Sequence, residues 1–438
     1  MPTGLRILLG VYSFSIEVVV WFALAPFLWV RSRLTRRDPD ELRQRLARAR
    51  RAGLPPSSTL RPVIVHAVSV GEMNAAAPLV QELGTRGHRV WLTTGTAAGL
   101  VTARQLARRL PMVDDCIYLP WDRRAIRGWL HAITPAAVVV VETEIWPNLF
   151  TACKELQIPL FMANGRIRKR DVWRYRLARS FFRDVLASVQ WIGVQSAHER
   201  DAFVAIGASP SRVAVVGNLK FDAALRKTEA PAVSMGDLDG RPLVVAGSTH
   251  APEERWLLEC ALALGSEGRP VRLVLAPRDV SRAGAVSRMA RSLGLRPLLW
   301  SEPSTHPAAP WDVLVLDQYG TLRACYDAAD LVVMGGTFVP VGGHNLLEAA
   351  AAARPMVVGP HVEGIATLLA SFDAAGALMH LSGADPARSL ADACRMLFDD
   401  PDRARLMGAH AYQVCRDGAG SAERHARVIA ECLATPPA

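Results

Sequence analysis

The stretch Gly336 to Pro360, GTFVPVGGHNLLEAAAAARPMVVGP, reads as a strand end, a glycine-rich loop and a helix start in immediate succession. Gly342 and Gly343 let the backbone approach a ligand with no Cβ in the way. A helix opening near His344 or Asn345 would aim its free N–H groups at an anion. Glu348 falls one turn into that helix, where a carboxylate can accept two hydrogen bonds from a ribose diol. Phosphate on the amides and a diol on the acid together suit a nucleotide. The other reading, an ordinary strand-to-helix turn in which Glu348 meets the helix dipole, stays open on the local pattern alone.

Outward from this stretch, the chain alternates short apolar runs with helical patterns. Val63–Val70, His88–Thr94, Cys116–Pro120, Ala136–Glu144, Leu160–Asn164, Trp191–Ser196 and Val213–Asn218 form one series of runs. After a polar, proline-bearing break from Arg226 to Pro242, a second series follows: Leu243–Thr249, Arg272–Arg278, Arg296–Trp300, Asp312–Asp317, Leu331–Thr337 and Pro355–Pro360. Wholly apolar strands between helices imply parallel sheets covered on both faces. The fold class is therefore α/β, with two doubly wound domains, a ligand cleft between them, and functional groups at the carboxyl ends of strands.

With 438 residues, half of them hydrophobic, the chain has ample material for such cores. Seven scattered cysteines, with no CxxC pair, read as reduced and mostly buried thiols of a cytosolic compartment. The net charge of +10 is concentrated. Nine arginines lie between Arg31 and Arg51, and seven arginines plus Lys169 lie between Arg166 and Arg183. Anionic lipid suits these runs better than nucleic acid, because the first directly follows the apolar segment Ile7–Val30. That segment is long enough to cross a bilayer core of about 30 Å, with Glu17 in its middle as the objection. No small-residue cleavage site follows Val30, and the arginines beyond it place the remaining chain in the cytoplasm. A single-pass anchor is the expectation, with an interfacial helix as its alternative.

At the strand ends of the first half stand Glu72, in VSVGE, and Glu142 and Glu144, in ETEIWPN. A partly desolvated carboxylate near another can hold a pKa suited to accepting a proton. Against this, Glu72 could simply cap the following helix, and Glu142 and Glu144 could pair with the arginines of the Arg166–Arg183 segment.

The motifs HAVSVGE, LPWD, ETEIWPNL, NGRI, GNLKFD, GSTH and GGTFVPVGGHNLLE, in this order, resemble those of the 3-deoxy-D-manno-octulosonic acid (Kdo) transferases of lipopolysaccharide synthesis. The resemblance spans nearly the whole chain, departing from the family pattern at Asp279, at Ala349 and in the GPHVEG turn. It implies a GT-B glycosyltransferase with two facing Rossmann-like domains and an N-terminal membrane anchor. The expected division is an anchor over 1–35, an acceptor domain over 36–228 and a CMP-sugar domain over 229–438, whose last helix could pack back on the acceptor domain. Transfer of Kdo from CMP-Kdo to lipid IVA is the implied reaction. By the same resemblance Glu72 is the general base, and Glu142 and Glu144 line the sugar pocket. Pro277, Arg278, Tyr319, Gly320, Thr321, Asn345, Leu346, Leu347 and Glu348 hold CMP. Arg278, Lys220 and the amides near Asn345 are candidates to meet the donor's negative charge.

With CMP as a good leaving group, the reaction needs mainly a nucleophile and a place for charge, so an inverting displacement without metal or cofactor is expected. The expected partners are CMP-Kdo, lipid IVA and an anionic membrane surface, with no nucleic acid, at the cytoplasmic side of the inner membrane. The competing classes are a GT-B transferase acting on another activated sugar or acceptor and a non-catalytic derivative of the family.

Overall fold

The computed structural model describes residues 3–28, 41–47, 61–226, 239–301 and 311–434. The chain forms two compact units. The first comprises Met1–Ala223 together with Gly418–Ala438, and the second comprises Ala224–Asp417. They divide five residues before the boundary expected at 228/229, and the last segment of the chain belongs to the first unit.

The first unit is built on seven strands: β1 (Val63–His66), β2 (Val90–Thr94), β3 (Val113–Tyr118), β4 (Ala137–Val141), β5 (Leu160–Gly165), β6 (Trp191–Val194) and β7 (Val213–Val215). Their order is β3-β2-β1-β4-β5-β6-β7, parallel throughout. Every residue of β1, β2, β4 and β5 is buried, as runs such as AVVVV demand when helices cover both faces. The order reverses between β1 and β4, and that reversal opens a crevice beyond their carboxyl ends.

The second unit repeats the plan with β8 (Leu243–Thr249), β9 (Arg272–Pro277), β10 (Pro297–Leu299), β11 (Val313–Val315), β12 (Leu331–Met334), β13 (Met356–Val358) and β14 (Met379–His380). The parallel order is β10-β11-β9-β8-β12-β13-β14, and it reverses between β8 and β12. Thirteen of the strands fall on the apolar runs read from the sequence, and the fourteenth, β14, has only two residues.

The last helix, Ser421–Ala434, lays Ala422, Ala426 and Ile429 into the same core cluster as Leu79 and Leu83 of the helix Val70–Thr85. Asp222 caps it, accepting from the backbone N–H of Gly420 at 2.8 Å and of Ser421 at 3.1 Å. Buried His425 accepts the N–H of Asn164 at 3.0 Å.

A helical segment of 25 residues, Gly4–Leu28, is long and apolar enough to cross a membrane. It is not a free tether, because one face is fastened to the first unit. Leu5 joins the core beside Ile126, Trp129 and Leu130. Tyr12 donates to Asp122 at 2.9 Å, and buried Ser13 donates to Asn148 at 2.8 Å. Glu17 accepts from Arg123 Nε at 2.8 Å, so its intramembrane charge objection is met by a partner. Ile7, Val11, Phe14, Phe22 and Phe27 point outward and are all more than half exposed. Most of the Arg31–Arg51 run lies outside the described residues. Arg45, which is described, is not available to lipid: it is 8% exposed, pairs with Glu41 at 3.0 Å, donates to the carbonyl of Gly95 at 2.8 Å and lies 4.5 Å over the Tyr118 ring.

Candidate active site

In the first unit, the helix Val70–Thr85 starts immediately beyond β1, with Ser69 as its N-cap. The Glu72 N–H donates to the Ser69 hydroxyl oxygen at 3.3 Å. The Glu72 carboxylate reaches back to accept from the Val68 N–H at 2.7 Å and the Ser69 hydroxyl at 3.1 Å. This arrangement resembles a capping box, except that the carboxylate takes the N–H of the residue before the N-cap, so the capping reading of Glu72 is correct as far as it goes. Each carboxylate oxygen retains further acceptor capacity, and the group is half-buried at the mouth of the crevice.

Beyond β4, Glu142 adopts φ +63°, a left-handed conformation uncommon outside glycine. Its N–H donates to the carbonyl of Ala163 at 2.9 Å. Lys220 Nζ lies 3.0 Å from its carboxylate. The described arginines of the Arg166–Arg183 segment that pair do so elsewhere: Arg170 and Arg174 with Asp171, Arg183 with Asp184. The expected alternative partners of Glu142 are thus replaced by a single lysine from the first turn of the helix Leu219–Leu225 after β7, which the GNLKFD motif carries. Glu144 is pushed up to about 7, first by burial and then by the Glu72 carboxylate, with Glu142 adding to the rise. These influences identify the three acids as one cluster at the β1/β4 reversal.

The CMP-binding residues named from the sequence belong to the second unit and follow the carboxyl ends of β9, β11 and β12, whereas Lys220, named beside Arg278 for the donor's charge, lies in the first unit paired with Glu142. Pro277 closes β9, and exposed Arg278 follows it, its N–H donating to the Thr249 carbonyl at 2.9 Å. Tyr319 is 73% exposed and its hydroxyl lies 3.4 Å from the Arg278 carbonyl. Gly320 takes φ +100°, and Thr321 is the N-cap of the helix Leu322–Ala328 with its hydroxyl buried and without a hydrogen-bond partner among the described residues.

The glycine-rich stretch differs from the expectation in one respect. Its helix begins at Leu347, after the N-cap Leu346, and runs only to Ala351. Gly342 and Gly343 both have positive φ, and Gly343 N–H closes back on the Gly336 carbonyl at 2.8 Å, which extends the loop through His344 and Asn345. Asn345 Oδ1 accepts the Leu347 N–H at 3.3 Å, so that amide is already engaged. Glu348, half-buried, has its carboxyl pushed up by burial and held down in part by Arg323.

Two features of the second unit carry no distinctive local sequence signal. His250, after β8, and His344, after β12, meet Nε2 to Nε2 at 2.8 Å with nearly parallel rings. Burial lowers both, His344 to about 4. Beneath them the Glu253 carboxylate accepts from the N–H groups of Gly336, Phe338 and His250 at 2.8–3.0 Å and fixes the loop. The GSTH and GGHN motifs mark where these histidines lie, but only the reversal between β8 and β12 brings them together.

Two parallel, doubly wound units, each with its strand order reversed once, define the GT-B fold class. Solved structures share that fold at low identity. UDP-GlcNAc 2-epimerase from Neisseria meningitidis matches with a TM-score of 0.58 and 14% identity, over 85% of this chain and 99% of that one. A glycosyltransferase from Rickettsia africae matches with a TM-score of 0.55 and 11% identity, over 86% of this chain and 100% of that one. The family described as 3-deoxy-D-manno-octulosonic-acid transferase (kdotransferase) matches residues 40–223. The 3-deoxy-D-manno-octulosonic acid transferase of Bordetella pertussis is 31% identical over 94% of this chain and 96% of its own length. The enzyme of that name from Haemophilus influenzae is 27% identical over 83% of this chain and 85% of its own. The chain belongs to the Kdo transferase family, and it is a glycosyltransferase.

Proposed function

We propose that the protein transfers Kdo from CMP-Kdo to lipid IVA with inversion at the anomeric carbon, releasing CMP. The observation that supports this best is the cluster of Glu72, Glu142 and Glu144 at the β1/β4 reversal of a Kdo transferase-family chain. In this reading Glu72 takes the proton of an acceptor hydroxyl as that oxygen bonds to the anomeric carbon. The bond from that carbon to the phosphate oxygen breaks on the opposite face, and its electron pair leaves with CMP. Glu144, titrating near 7, carries a proton for part of the time at neutral pH and so relieves like-charge repulsion beside the base. Lys220 neutralises Glu142 and fixes its orientation.

On the donor side, Arg278 meets the phosphate and Glu348 the ribose diol. Pro277, Tyr319, Gly320, Thr321, Asn345, Leu346 and Leu347 shape the nucleotide's seat. The unpartnered Thr321 hydroxyl is a buried polar group that a ligand atom would satisfy. The reaction is proposed to need no metal. The protein works at the cytoplasmic face of the inner membrane, held there by the exposed apolar face of the helix Gly4–Leu28. Because Tyr12, Ser13 and Glu17 are engaged by the domain midway along that helix, an interfacial position is favoured over a crossing.

Purified full-length protein with lipid IVA, offered CMP-Kdo or UDP-sugars in turn, with and without EDTA, tests the reading. Kdo transfer and CMP release that persist in EDTA are expected. Transfer from a UDP-sugar alone, or no transfer at all, would overturn it.

A further inference from the structure

The loop Glu142–Trp146 carries two of the three clustered acids, and its conformation is not one it would keep unaided. Glu142 is left-handed, and the Glu144 carboxyl is crowded by burial and by Glu72. Both conditions favour relaxation unless the surroundings hold the loop at each end. The near end is held by Ala163 and Lys220. The far end runs into the helix Pro147–Glu155, whose N-cap, Trp146, supplies no side-chain cap of its own.

The missing cap comes from Asp122, 2% exposed. Its carboxylate accepts from the N–H groups of Asn148 at 3.0 Å and Leu149 at 2.8 Å, and its carbonyl accepts from Asn148 Nδ2 at 2.6 Å. The remaining contacts of this pair come from the N-terminal helix: Tyr12 donates to Asp122, and Ser13 donates to Asn148 Oδ1. The apolar helix is thereby two hydrogen bonds away from the acidic loop.

We propose that Asp122 is a positioning residue of the acceptor site, and that Tyr12 and Ser13 make the seating of the N-terminal helix part of the same support. The helix then does more than raise local concentration at a membrane: its docking sets the placement of Glu144 beside Glu72. The activity consequences rest on the proposed function; the structural consequence does not.

The test uses the full chain in detergent micelles, with the Tyr12→Phe/Ser13→Ala double variant and Asp122→Asn. Hydrogen exchange of the amides over Thr143–Phe150 should quicken about fivefold or more in the double variant, the effect of losing a hydrogen bond worth roughly 1 kcal/mol. Exchange in β4 and β5 should stay at the parent's rate. The KM for lipid IVA should rise several-fold with the KM for CMP-Kdo unchanged, a split that a general loss of folded protein would not produce. Parental exchange over Thr143–Phe150 in the double variant overturns the proposal, and if Asp122→Asn fails to fold the double variant still decides. Should the parent transfer no Kdo to lipid IVA, the proposed function fails, and the exchange measurement alone decides this inference.

Discussion

The two units share a parallel, doubly wound plan yet place opposite chemistry at equivalent points. At the β1/β4 reversal the first unit gathers three carboxylates and one lysine. At the β8/β12 reversal the second gathers two neutral histidines, a glycine loop pinned by Glu253, and Arg278 close by. Acids that crowd each other rise in pKa and become able to accept and return protons. Amides and an exposed arginine suit an anion. Topology thus fixes where loops gather, and a handful of loop residues fix the charge that each unit presents there.

Breaking the acidic half should have the largest effect. Glu72→Gln is expected to lower transfer at least about a hundredfold, the lower range for general-base catalysis, with CMP affinity within a few-fold of the parent. Retention of most turnover in a steady-state assay would remove Glu72 from its role. Breaking the other half should do the reverse. Arg278→Ala and Glu348→Ala should each weaken CMP binding by about 1.5–3 kcal/mol in calorimetry, the range for hydrogen bonds to charged groups. Unaltered affinity in both would contradict the division of labour.

The cations of the first unit sharpen the contrast, because at least one of them is structural. Arg45→Gln should lower unfolding stability by about 1–3 kcal/mol in denaturant titration, since it removes the ion pair with Glu41 and the hydrogen bond to the Gly95 carbonyl. Binding to anionic vesicles should be unaffected by that change, and a lost vesicle affinity would return Arg45 to the lipid-facing set. Glu144 offers a smaller, pH-dependent effect. Its folded pKa is raised from 4.5 to about 7, so the folded protein binds more protons than the unfolded chain between those values. Its contribution to stability therefore falls as pH rises through that window. Glu144→Gln should match the parent's melting temperature below pH 4.5 and exceed it above pH 7 by about 2–4 °C per kcal/mol relieved. An equal gap at both pH values would mean that Glu144 does not titrate there. Smallest of all, Tyr319→Phe should change CMP affinity by less than about threefold, because its hydroxyl makes only a long 3.4 Å contact.

The strands were legible because their composition leaves no alternative: AVVVV cannot be half exposed, and a run of that kind between helices must lie in a parallel sheet. The positions of Glu72, Glu142 and Glu144 followed from the strand ends, but their mutual influence depends on which strands are neighbours, and local pattern does not state strand order. For the same reason His250 and His344 could be located but not paired. The helix after the glycine loop was misplaced by two or three residues because two consecutive glycines at positive φ hold the chain in loop conformation longer than the helical pattern suggests. Arg45 shows the limit of charge runs: nine arginines reveal a sign, whereas the carbonyl and ring that enclose one of them come from distant segments.

The first unit is completed by Gly418–Ala438, with Asp222 holding the amides of Gly420 and Ser421 and His425 holding that of Asn164. During synthesis the second unit, Ala224–Asp417, is therefore one uninterrupted length of polypeptide that can close while still tethered to the ribosome. The first unit must wait for the helix Ser421–Ala434 to emerge. A chain cut short before Gly418 would retain the β8/β12 loops but leave the Asn164 N–H without His425 and the Asp222 carboxylate without the amides of Gly420 and Ser421, so that the second unit would be whole while the first stayed unfinished.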